Sequence, residues 1–212
     1  GLIVLDGSLP PDLLERRNAA DAMPPVVFAC EWIETSPYSR GVIDNAAGAR
    51  MLGAEMAAAG YRSAVVLAAS QGVLTSDQRE SGFAEGFEAG GGVVERIERG
   101  DFQRESGYAS MVRALRTGIA RGTLVFGISD VVAIGAMSAI RDAGRSVGDD
   151  IAVCGFDDVP SSRDVTPQLT TVRVPLGEVG YQAFRAAVDD RWNAEALPLE
   201  VLVRGSTPGH AA

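Results

Sequence analysis

Five places in the chain set a polar or aromatic side chain just after a short apolar run: Glu31, Thr75 with Arg79, Phe102, Ser129 with Asp130, and Asp157. Each run reads as a strand of a parallel sheet. Side chains that follow the carboxyl ends of such strands line the crevice where open α/β sheets hold their ligands. The chemistry these residue types offer is recognition. Arg79 is a fixed donor, Asp157 and Glu31 are acceptors, Thr75 and Ser129 can be either, and Phe102 brings an apolar ring face. The sequence has no G-x-S-x-G elbow, no His or Cys set at metal-ligand spacing, and no base beside a nucleophile. Neither catalysis nor a metal nor a cofactor is therefore expected. The triple glycine Gly90–Gly92 precedes a strand instead of a helix, the reverse of a phosphate-binding loop, and reads as a turn.

Each candidate has a plainer role open to it. Thr75 and Gln78 have the spacing of a capping box, and Ser129 suits a helix N-cap. Asp130 reads as structural, facing the positive end of a helix. Arg79 could be a solvated first-turn arginine, Phe102 a core side chain, and Asp157 with Asp158 an ordinary turn.

Several elements must position these residues. Around the stretch Thr123–Asp158, an apolar run at Thr123–Gly127 leads to the cap residues Ser129 and Asp130. A helix follows to Ala143, apolar on all sides and so expected to be buried, with Gly144 as its stop. A second apolar run, Ile151–Cys154, ends in Gly-Phe-Asp-Asp. Upstream, strands are expected at Gly1–Leu5, Val26–Ala29, Ala64–Ala69 and Val93–Ile97, with helices capped by Ser8 and Asp44, one ending at Ala89, and one carrying the stripe Tyr108, Met111, Val112, Leu115. Downstream come a strand at Leu169–Val174, a helix from Pro175 to about Trp192 and a strand at Leu199–Val203. Alternation of strand and helix argues parallel sheets with right-handed crossovers.

Composition bounds the partners. With 28 acidic against 19 basic side chains the net charge is −9, which leaves no basic face to grip phosphates. No apolar run approaches the ~20 residues that cross a bilayer, and no membrane association is expected. Cys30 and Cys154 sit in apolar runs and read as free thiols in a reducing cytoplasm. His210 stands in a polar tail with no partner for zinc.

The run ISDVVAIGAMSAIRDAG…VGDDIAVCGFDDVPSSRDVTPQLTTV resembles the effector-binding core of the lactose/galactose-repressor family, whose pattern is roughly ND-x-x-A-x-G…GFDD…P-x-LTTV. The resemblance implies two doubly wound parallel-sheet α/β lobes of the periplasmic-binding-protein-like type I fold. By matching positions, 44–173 would form a complete lobe, 1–43 with 174–203 part of the first, and 204–212 a tail. The family's helix-turn-helix, hinge helix and two leading β-α units have no counterpart here, so the first lobe is expected to be incomplete and DNA to be bound only through a domain outside this chain. The family's arginine for effector hydroxyls falls on Arg79, its acidic acceptor on Asp157 and its stacking aromatic on Phe102. Ser129 replaces the usual asparagine, and Glu31 the usual aspartate. Ile134 and the loop Ser161–Thr166 with Val165 fall at a two-fold dimer interface. The implied function is that of a cytoplasmic transcriptional repressor core. It would bind a small sugar-like effector, a purine being the second choice, and control DNA binding as a homodimer. The alternative is a periplasmic sugar-binding protein of a transporter.

Overall fold

The computed structural model describes residues 1–4, 26–29, 43–189, 192 and 196–209. The expected Ser8 helix, Cys30, Glu31, Trp32 and His210 lie outside these residues. The chain divides into two units, one of Gly1–Asn45, Gly72–Thr75 and Pro175–Pro198, the other of Ala46–Gln71, Ser76–Val174 and Leu199–Ala212.

Strands in chain order are β1 (Leu2–Val4), β2 (Val26–Phe28), β3 (Ser63–Ala69), β4 (Val93–Gly100), β5 (Thr123–Gly127), β6 (Ile151–Asp157), β7 (Thr170–Arg173) and β8 (Glu200–Leu202). Helices are α1 (Asn45–Ala58), α2 (Leu74–Ala89), α3 (Arg104–Arg116), α4 (Asp130–Asp142), α5 (Ser161–Asp164) and α6 (Leu176–Val188). The second unit holds a six-stranded sheet in the order β4-β3-β5-β6-β7-β8, parallel except for β8. Its central strands are uninterrupted apolar runs because helices cover both faces: Ala64–Ala69, Leu124–Phe126 and Ile151–Phe156 are buried throughout. At the edge, β4 instead alternates exposed with half-buried residues and carries Arg96, Glu98 and Arg99, which discourages pairing with another chain.

Helix α4 is buried along most of its length, as an all-round apolar helix must be. It touches α3 backbone to backbone. A Cβ on Gly135 would run into the carbonyl oxygen of Arg104, and one on Gly107 into that of Val132. The buried face of α3 is Gly107, Ser110, Met111 and Ala114. Of the expected stripe only Met111 lies in the core. Tyr108, Val112 and Leu115 line an open groove of about 320 Å³ beside α4.

The C-terminal segment departs from the sequence reading. That reading puts Leu199–Val203 in the first lobe and 204–212 in a tail, but both cluster with the second unit. β8 pairs antiparallel with β7, and the residues after it are pinned by hydroxyls. Ser206 Oγ accepts the Thr170 N–H at 2.8 Å and donates to the Val153 carbonyl at 2.6 Å, while Thr207 and Thr170 share a 2.6 Å bond. These residues satisfy backbone groups that a bare sheet edge would leave unpaired.

In the first unit β1 and β2 pair in parallel, Leu2 opposite Val26 and Val4 opposite Phe28, with α6 against them. Phe184 and Val188 on α6 remain more than half exposed. Among the described residues no helix is long and apolar enough to cross a membrane.

Candidate ligand-binding site

The carboxyl edge of the second unit's sheet collects most of the residues singled out from sequence. β3 ends at Ala69, whose N–H is accepted at 3.0 Å by Ser76 Oγ from the first turn of α2. That bond closes the connecting loop, and it comes from Ser76 and not from Thr75. Helix α2 already begins at Leu74, so Thr75 lies inside the first turn, half-buried, and cannot be the cap of a capping box.

One helical turn later Arg79 turns into the sheet, only 5 % exposed. Its Nη1 donates to the Ile128 carbonyl at 2.8 Å, and its Nη2 pairs with Asp157 Oδ1 at 2.9 Å. The guanidinium also lies 4.0 Å above the Phe156 ring. The plainer reading of Arg79 as a solvated arginine therefore fails, because the side chain is built into the floor of the edge. Asp157 is the last residue of β6, a strand three residues longer than its apolar run suggests, and its side chain keeps about a fifth of its surface exposed. Burial pushes its pKa up, and the Arg79 charge and hydrogen bond pull part of that shift back. The structure thus brings Arg79 and Asp157 into direct contact. They form a donor–acceptor pair with the acceptor reaching the surface.

Phe102 is half-buried in the bend two residues after β4 ends. Ser129 is 4 % exposed and caps α4 by accepting the Val132 N–H at 3.4 Å, which leaves little surface for a ligand. Ile134 is 2 % exposed, so its side chain belongs to this protomer's core and is not available to a second copy. Val165, after α5, is half-buried beside an exposed Thr166.

Sequence reasoning missed how the end of β6 is held. Asp157 and Asp158 both have left-handed backbone, with φ of 113° and 54°. L residues rarely adopt it unless the surroundings enforce it. Asp158 faces inward and receives Arg163 Nη2 at 2.7 Å, Arg173 Nε at 2.9 Å and Arg204 Nη2 at 2.6 Å. Burial alone would raise its pKa, but the three guanidinium hydrogen bonds outweigh that and hold the carboxyl well below the usual range. Asp130, fully buried, is held instead by neutral donors, the Val159 N–H and the Thr171 hydroxyl. Burial pushes its pKa up to about 7, against the opposing bonds from Thr171 and the Val159 N–H and with help from the nearby Asp157 charge. The one sequence signal for this framework was the Leu-Thr-Thr-Val run, which contains Thr171. Among the described residues no cluster of His, Cys, Asp and Glu could hold a metal ion.

Comparison with known proteins agrees with this architecture. The family described as periplasmic binding protein-like domain matches residues 54–207. The HTH-type transcriptional repressor PurR of Pectobacterium carotovorum subsp. carotovorum (strain PC1) is 34 % identical over 193 residues, covering 89 % of this chain and 56 % of the relative. The chain therefore spans a little over half the length of that relative. Two solved structures share the fold. A sugar-binding transcriptional regulator of the LacI family from Escherichia coli, complexed with phosphate, has a TM-score of 0.82 at 22 % identity, over 98 % of this chain and 77 % of that one. A dimeric Lac repressor carrying a C-terminal deletion and a single substitution has a TM-score of 0.84 at 24 % identity, over 99 % and 78 %. The chain belongs to the periplasmic binding protein-like family.

Proposed function

We propose that this chain is the sensing and dimerisation core of a cytoplasmic transcriptional repressor, and that the carboxyl edge of its six-stranded sheet binds a small sugar-like effector. The observation that carries the reading is the Arg79–Asp157 pair: a buried guanidinium that orients a partly exposed aspartate at the edge where α/β sheets bind ligands. Such an acceptor suits a hydroxyl, and Phe102, which follows β4 at the same edge of the sheet, would cover an apolar ring face, of a sugar first and a purine second. Glu31, Thr75 and Ser129 complete the proposed set, with Ser129 demoted to a positioning role by its burial. DNA would be bound by a helix-turn-helix outside these residues. Effector binding would act by favouring one of two conformations, its influence limited to its difference in affinity for them, about 1–3 kcal/mol. The transporter-associated alternative loses ground because the Pectobacterium relative is named a transcriptional repressor.

A thermal-shift screen of sugars and purines, followed by titration calorimetry, tests this reading. Asp157→Asn is expected to weaken binding about ten- to hundredfold, since a hydrogen bond to a charged group contributes about 1.5–3 kcal/mol. Phe102→Ala should weaken it through lost apolar contact. Arg79→Gln should lower stability as well as affinity, because it strips the partner from a partly buried carboxylate. Asp157→Asn and Phe102→Ala variants with wild-type affinity would place the site elsewhere.

A further inference from the structure

The strain at the end of β6 needs a cause. Two consecutive aspartates hold left-handed backbone there, and the first is the proposed ligand acceptor. Besides the three arginines on the Asp158 side chain, one buried group holds the backbone amides downstream of it. Asp130, at the start of α4 and fully buried, accepts the Val159 N–H at 2.9 Å through Oδ2 and the Thr171 hydroxyl at 2.6 Å through Oδ1. The Thr171 oxygen in turn accepts the Asp158 N–H at 3.4 Å. One carboxyl group thus holds the two amides after Asp157, one directly and one through a hydroxyl. The neighbouring strand makes room for it, since a Cβ on Gly155 would run into Asp130 Oδ1.

We infer that Asp130 is a positioning residue for the ligand site: it holds the left-handed turn that aims the Asp157 carboxylate, and it never touches ligand itself. This rests on the reading of Asp157 as the ligand acceptor. The geometry also says which substitution is tolerated. Asparagine at 130 keeps an oxygen for the Val159 N–H, and its amide can donate to the Thr171 oxygen, whose hydroxyl has the Val172 carbonyl as another acceptor at 3.4 Å. Alanine keeps neither bond.

The test uses the whole 212-residue chain and two readouts. In amide hydrogen exchange without ligand, Asp130→Ala should speed exchange at Asp158 and Val159 about tenfold or more, while β3 and β5 stay protected and Asp130→Asn stays near wild type. In titrations with D-galactose and, separately, adenosine, Asp130→Ala should weaken whichever probe binds about tenfold, but add no further loss in an Asp157→Asn background. Asparagine should restore binding. Unchanged exchange in the alanine variant, an asparagine variant as impaired as alanine, or losses that simply add would each overturn the assignment. If neither probe binds wild type, the sugar-or-purine reading of the site fails, and exchange alone still decides whether Asp130 holds the turn.

Discussion

Asp130 and Asp158 are buried carboxyl groups close to Asp157, yet their surroundings drive them in opposite directions. Three guanidiniums hold Asp158 ionised, so its contribution to stability is present above the unfolded carboxylate range and is lost as the pH falls through its depressed native value. Asp130 has the reverse sign. Its native pKa, about 7, lies above the ordinary 3.8, so the folded state binds a proton more tightly than the unfolded chain. Its favourable contribution is complete below about pH 4 and is lost as pH rises through about 7. Asp157, also raised, acts in the same direction. Urea midpoints for wild type are therefore expected to fall between about pH 5 and 7.5, by the equivalent of a few kcal/mol at most. The Asp130→Asn variant should lose the larger part of that slope. A wild type whose midpoint is flat over that interval would show that Asp130 is ionised throughout.

At the scale of elements, the parallel strands and the helices between them were legible from apolar runs, caps and glycine stops, because strands buried on both faces leave an uninterrupted signal. The placement of β8 was not. A three-residue strand carries no mark of the sheet it will join or of its direction; its pairing with β7 and the hydroxyls of Ser206 and Thr207 make the attachment. At the edge proposed for the ligand, strand-end logic points to Arg79 and Asp157, which the structure pairs. It overlooked Asp158 as a hub, because Arg163, Arg173 and Arg204 converge on it from separate segments. Ile134 went astray for a related reason: an apolar residue on an all-apolar helix says nothing about which neighbour covers it. The attachment of the last segment makes its own prediction. Ser206→Ala would leave a strand N–H at Thr170 and a carbonyl at Val153 without their buried partner. A loss of about 1–3 kcal/mol is expected in denaturant unfolding. A change within a few tenths would mean that water replaces the hydroxyl.

At the scale of the whole molecule, assembly is the open property. Of the two positions proposed for a two-fold contact, Ile134 is occupied within the protomer and Val165 keeps surface to offer. A charge placed on a two-fold interface is felt twice, so Val165→Asp should turn a dimer into a monomer in light scattering at micromolar concentration. A wild type that is already monomeric there would remove dimerisation from the reading. The stitched C-terminal segment has one more consequence, for the order in which the chain is made. Tyr61 waits for Gly209, 148 residues later, and Val153 for Ser206, 53 residues later. A chain emerging from the ribosome can pair β3, β5 and β6 early, but the outer edge of β7 stays bare until β8 has been translated, and the Thr170 N–H until Ser206 has. Such long-separation contacts slow folding and leave a bare sheet edge exposed meanwhile. Chains that end before Glu200 should therefore be captured by holdase chaperones far more readily than chains that include Gly209.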